Sequence, residues 1–166
     1  LVSRNLSSSD PEAGLLYADS ALQLSLKIKS SLKLGSAYAA FAYNYTAIGS
    51  DSIAINYFEK AYHYYVQSDQ LNHAARAKHN QGLNYYNLAK YAGAIDAHKT
   101  AYDIFKKTDF KAGQTQTLNS LGINFMEIGD YPRSLNYHLQ SLQISQAEND
   151  SNNLCQSYMN IGLLYE

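Results

Sequence analysis

Apolar residues in this chain fall at helical spacing from end to end, and no stretch alternates with period two for long enough to make a strand. The first stripe is Leu15, Leu22, Leu26 and Ile28. Asp10-Pro11-Glu12 heads it. Asp10 can accept from free amides, Pro11 suits the first helical position, and Glu12 favours the positive end of the helix dipole. The same pattern predicts helices over residues 11–29, 34–48, 53–66, 71–88, 91–107, 111–128 and 132–147, and a last one from residue 152 still running at Glu166. Breaks at Gly49-Ser50-Asp51, Ser68-Asp69-Gln70, Thr108-Asp109, Gly129-Asp130 and Glu148-Asn149-Asp150 separate them. Links of about two to five residues make neighbouring helices antiparallel hairpins.

The pattern repeats with a fixed period. A small residue recurs at Ala42, Gly82, Gly122 and Gly162, and an aromatic three residues later at Tyr45, Tyr85, Phe125 and Tyr165. In the second helix of each hairpin the small positions are Gly14, Ala54, Ala94 and Ser134, then Ala21, Ala61, Ala101 and Ser141. Small residues let helix backbones approach and large ones fill the space beside them. A single hairpin cannot bury such a face, so each needs its neighbour in a stack. The units are residues 31–70, 71–110 and 111–150, with partial repeats at 1–30 and 151–166, all in one array. The final helix would leave its apolar face without its usual partner, so a segment of a longer protein is expected.

Asn119-Ser120-Leu121-Gly122, Phe125, Gly129-Asp130-Tyr131 and Ser134-Leu135 resemble the tetratricopeptide repeat, as does Asn160-Ile161-Gly162-Leu163-Leu164-Tyr165. The resemblance implies an all-α, right-handed α-solenoid of antiparallel hairpins. The chain departs from the family in four ways. Its period exceeds the usual length of about 34, so the second helix or its connection is expected to be longer. Gln146 stands at the closing proline, Gln81 at a leucine position, and Ala42 at a glycine.

Composition narrows the chemistry. Hydrophobic residues make up 46%, enough for a core, while charged residues are 16% and the net charge is −1. Without a basic face, nucleic acid is not an expected partner. No apolar run approaches the ~20 residues of a membrane span. The single cysteine, Cys155, excludes an intrachain disulfide. Sixteen tyrosines, no tryptophan and many Asn and Ser replace the usual Lys/Glu surface, which mildly favours an extracytoplasmic setting.

His98 and His138 occupy equivalent points of adjacent repeats, on the order of 10 Å apart, too far to share one metal. They read as packed core histidines. His63, His73 and His79 show no ligand-pair spacing, and neither a nucleophile motif nor a phosphate loop is present. The segment is read as non-enzymatic, with no metal and no cofactor. Asn44-Tyr45-Thr46 and Asn5-Leu6-Ser7 match the glycosylation pattern by chance.

Two readings stand for the asparagine columns Asn44, Asn84, Asn124 and Asn80, Asn160. They either fix the stacking or clamp an extended peptide backbone, since an amide both donates and accepts. At 100° per residue, the face opposite the Gly/aromatic stripe carries Tyr43, Arg76, His79, Asn80, Leu83, Tyr86, Asn87, Gln116, Asn119, Ile123 and Glu127, together with Thr46. In the family that face lines the concave groove. The resemblance thus implies a protein or peptide ligand there, and the lining lacks the cations of a carboxylate clamp. The open ends of the array offer surfaces for a homodimer. Repeats of this length and composition are similar to sensor regions of bacterial membrane histidine kinases and transcriptional regulators. That implies a periplasmic signal-transduction role. The alternative is a cytoplasmic peptide-responsive regulator or scaffold adaptor.

Overall fold

A computed structural model of the chain describes residues 10–165. Within them eight helices follow one another: α1 (Pro11–Lys27), α2 (Ser31–Ala47), α3 (Asp51–Gln67), α4 (Leu71–Asn87), α5 (Tyr91–Lys107), α6 (Lys111–Glu127), α7 (Tyr131–Ala147) and α8 (Ser151–Leu163). The first seven are equal in length, and every link has three residues, so the helix starts are evenly spaced. The sequence period is two such equal units, and the expected extra length of the second helix or its connection does not occur. The last helix ends at Leu163, short of the expected run to Glu166, which lies outside the described residues.

One device makes all the links. The first link residue caps the helix, the second takes positive φ, and the third starts the next helix. At residues 48–50, Ser50 N–H donates to the Tyr45 carbonyl (2.8 Å) and Gly49 N–H to the Thr46 carbonyl (3.0 Å), which satisfies two orphan carbonyls of the helix end. The same pair of bonds recurs at residues 28–30, 68–70, 88–90, 108–110, 128–130 and 148–150. Only Gly49 and Gly129 meet the positive φ with glycine; Lys29, Asp69, Ala89, Asp109 and Asn149 hold φ of 50° to 55°. Each of those five gives up about 1 kcal/mol to side-chain crowding. Asp10, Ser30, Asp130 and Asp150 cap the helices that follow them, accepting from Ala13, Lys33, Arg133 and Asn153 amides.

Helices pair by a knob on the second helix and a small residue on the first. Phe58 is buried with Ala42 and Ala54. His98 presses on Gly82, where an added Cβ would lie 2.5 Å from the ring, and His138 presses on Gly122, where the gap would be smaller still. Alternate helices α4 and α6 touch, as do α6 and α8, so the first helices of the hairpins form a tight inner layer. The two ends break the column pattern. Ala21 and Tyr165 were expected inside, but Ala21 is exposed and Tyr165 is 77% exposed, because no helix among the described residues covers them.

Candidate functional site

The inner layer carries the predicted groove residues, and the structure sorts them into three groups. The first group ties repeats together. Asn80 Nδ2 donates to the Tyr43 hydroxyl (2.9 Å), the Tyr86 hydroxyl to Glu127 Oε1 (2.9 Å) and Asn87 Nδ2 to Asp51 Oδ1 (2.8 Å). Each pair spans neighbouring hairpins. The asparagine columns belong here too. Asn44, Asn84 and Asn124 are buried and each donates to the carbonyl four residues back, while Asn84 Oδ1 also accepts from Thr46 across the repeat boundary. Of the two readings for these three, burial between packed helices fits stacking and leaves them no access to a peptide. Buried Asn44 cannot carry a glycan; Asn5 lies outside the described residues.

In the second group, Arg76 is exposed and leans over the Phe110 ring (5.3 Å), and Leu83 stays open on the same helix. The third group makes a cleft. His79 from α4, Gln116, Asn119, Ser120 and Ile123 from α6, and Asn152, Asn153 and Gln156 from α8 line an open space of about 450 Å³. Three successive inner helices therefore contribute to one surface. Asn152, Asn153 and Gln156 were not anticipated, because the groove was followed only to the last complete repeat. A shift of one repeat, from Gln116 to Gln156, would have found them.

The cleft is uncharged. None of its side chains is Asp, Glu, Lys or Arg. His79 is held neutral, because burial lowers its pKa to about 4. Its ring packs against that of His98 (5.0 Å between centroids), whose pKa falls to about 3 through burial and the neighbouring His79. Asn119 is buried in the cleft wall. Its Oδ1 accepts from Ser157 Oγ (3.3 Å) and lies 3.2 Å from His138 Nδ1, a nitrogen that Asn160 Nδ2 also approaches (3.5 Å). Burial keeps His138 neutral too, with a pKa of about 4. Asn119 Nδ2 and His79 Nδ1 are left as buried polar atoms without a hydrogen-bond partner. The exposed amides of Gln116, Asn152 and Gln156 suit a ligand that both accepts and donates but carries no charge, whereas Asn119 Nδ2 and His79 Nδ1 lie inside the wall. Among the described residues no His/Cys/Asp/Glu group is close enough to hold a metal ion, and no helix is long and apolar enough to cross a membrane.

Stacked antiparallel hairpins with an inner and an outer layer define an all-α solenoid of the tetratricopeptide type. The same architecture appears in solved structures of low sequence identity. Aspartyl phosphate phosphatase F from Bacillus subtilis superposes with a TM-score of 0.92 at 21% identity, over 98% of this chain and 43% of that one. A Rap protein complexed with Competence and Sporulation Factor gives 0.80 at 21%, over 91% and 42%. TPR-like repeats of a putative kinesin light chain from Podosopora anserina give 0.80 at 14%, over 99% and 82%. The chain spans less than half of the phosphatase and of the Rap protein. The family model described as soluble NSF attachment protein, SNAP, matches residues 5–163, and the chain belongs to that family. No curated protein matches it significantly.

Proposed function

We propose that this chain is a non-catalytic binding module that takes an extended, uncharged protein or peptide segment in the cleft of α4, α6 and α8. The observation that carries the reading is that cleft: exposed amides from two helices around a neutral His79, with no charged side chain in the lining. Amide side chains can pair with a peptide backbone without reading its side chains. The Rap protein solved with Competence and Sporulation Factor supports a ligand on this type of fold. We assign the module to the sensor or interaction region of a bacterial signal-transduction protein, on the periplasmic side of a membrane. The family description, an attachment protein, favours a second reading as an adaptor between protein partners.

The test is selection from a displayed random-heptapeptide library against the 166-residue chain, followed by titration of the enriched peptides. Exposed Gln116 and Gln156 are replaced together by alanine, which removes the Gln156–Asn160 hydrogen bond but no buried side chain. The variant should keep its helicity and lose about tenfold in affinity, on the order of 1.4 kcal/mol. Binding should change little between low and high salt, since no ion pair is involved. Unchanged affinity in the double variant, with loss instead in the Arg76, Tyr86 and Asn87 triple alanine variant, would move the site to the other end of the groove.

A further inference from the structure

Beside the amide-lined cleft the inner layer carries an apolar row. His79 lines the cleft from α4, and Leu83 stands one turn further along the same face, 39% exposed. Ile123 holds the equivalent position on α6, lines the cleft and is half-buried. Both lie in complete repeats, with described helices on either side. Just beyond them the Tyr86 hydroxyl donates to Glu127 (2.9 Å), which ties α4 to α6 at that level. A second row is polar: Gln116 on α6 and Gln156 on α8 are equivalent positions, and both are exposed. The rows of Gln116 and Ile123 lie two helical turns apart, about 10 Å. A backbone running between them can turn its apolar side chains to one row and its peptide groups to the other.

The repeat sets a length. Equivalent residues of successive inner helices are separated by the distance between those helices. Helix α4 touches α6, and α6 touches α8, which puts that distance on the order of 10 Å. A ligand lying across them meets the same kind of side chain each time it advances by that length. A β-strand returns a side chain to one face every two residues, about 6.7 Å, and falls out of step. A polyproline II segment returns one every three residues, about 9.3 Å, and stays in step. It makes no internal hydrogen bonds, so its peptide groups are open to the glutamine amides. We propose that the ligand of the cleft is an uncharged polyproline II segment with apolar side chains three residues apart, one seated on Leu83 and the next on Ile123. The inference rests on the reading of the cleft as a peptide site. Leu83 and Ile123 then set specificity, while Gln116 and Gln156 hold the backbone whatever its sequence. A charged residue at either seat would lose water against an apolar side chain with no ion partner, and is rejected.

Two end-blocked, dye-labelled peptides of the same composition supply the test, read by fluorescence anisotropy on the 166-residue chain. One carries leucines three apart, in the order Leu-Pro-Pro-Leu; the other carries them two apart, in the order Leu-Pro-Leu-Pro. The first should bind about tenfold more tightly. Leu83→Ala, at an exposed position, should cost the first peptide about tenfold and the second less than about twofold. Ile123→Ala should do the same with helicity unchanged. Gln116→Ala combined with Gln156→Ala should weaken both peptides alike. Equal binding of the two peptides, both weakened by the glutamine variant, would overturn the spacing and leave the cleft as a peptide site. So would failure of both where library-selected peptides bind. Failure of every peptide, or binding that the glutamine variant leaves unchanged, would remove the cleft reading together with the spacing.

Discussion

In the first complete repeat, α2 and α3 bury Leu34, Phe41, Ile55, Phe58, Tyr65 and a set of alanines, and Asn44 is the one amide buried among them. In α7 every buried residue is polar: Ser134, His138, Ser141 and Ser145. In α8 the buried pair is Ser157 and Asn160. Link geometry is the same in both regions. The backbone stack therefore does not depend on an apolar knob at each position; a histidine over a glycine fills the place of Phe58 over Ala42. The energetic basis differs. Burying a side chain such as Phe58 contributes about 2–3 kcal/mol. A buried polar atom with no partner costs about 1–3 kcal/mol; α7 has three, Ser134 Oγ, Ser145 Oγ and His138 Nε2, against one in α2, Asn44 Oδ1. The polar end is thus the softer one, and it is also where the amide-lined cleft opens.

The strongest way to break this comparison is to fill the hole under a histidine. Gly122→Ala drives a Cβ into the His138 ring and should cost about 2–3 kcal/mol in denaturant unfolding. Gly162→Ala, in the same column but with open space around it, should be neutral or stabilising by up to about 1 kcal/mol. Equal effects at the two sites would mean that the column is not read by its neighbours.

The buried histidines give the next largest effect. Burial holds His79, His98 and His138 at pKa values of about 4, 3 and 4, below the ~6.5 of an unfolded histidine. The unfolded chain therefore binds more protons as pH falls below ~6.5, and stability drops from there towards the folded values. Thermal unfolding at pH 7, 6, 5 and 4.5 should show this decline. His98→Phe, which removes a ring with two unpartnered nitrogens, should stabilise by about 1–2 kcal/mol at pH 7 and flatten the pH profile. An unchanged profile would show that His98 is not held neutral.

Two smaller changes sharpen the picture. Ser134→Ala removes an unpartnered hydroxyl from the column that holds Ala54 and Ala94, and should raise stability by about 1 kcal/mol. Ala89→Gly relieves a φ of 54° and should add about 0.5–1 kcal/mol, visible as a shifted urea midpoint with unchanged slope. A loss of stability in either would show that the side chain makes a contact worth more than its strain or its orphan hydroxyl.

Helix periodicity and the repeated columns carry most of the fold, because each column is a packing contact repeated in register. Gly82 and Gly122 can be read as close-approach positions, and His98 and His138 as core residues, from that register alone. The cleft is only partly visible in the sequence. A helical wheel centred on the Gly/aromatic stripe treats each first helix as covered on one side. In the stack it is also covered by the helices before and after it, which is why Asn44, Asn84 and Asn124 are buried. Tyr43, Tyr86 and Glu127 lie on the inner layer as expected, but their inter-repeat bonds depend on side-chain reach, which periodicity does not encode. His79, Gln116, Asn119 and Ile123 fall on the face the wheel predicts, and their partners on α8 lie past the last complete repeat.

Amide hydrogen exchange read helix by helix at pH 7 tests the contrast most directly. Helices α2 and α7 are each one helix in from an end of the described array. The account predicts slower exchange in α2, with α7 opening at a free energy lower by about 1–3 kcal/mol, the cost of its unpartnered polar groups. Equal protection in the two helices, or stronger protection in α7, would contradict it.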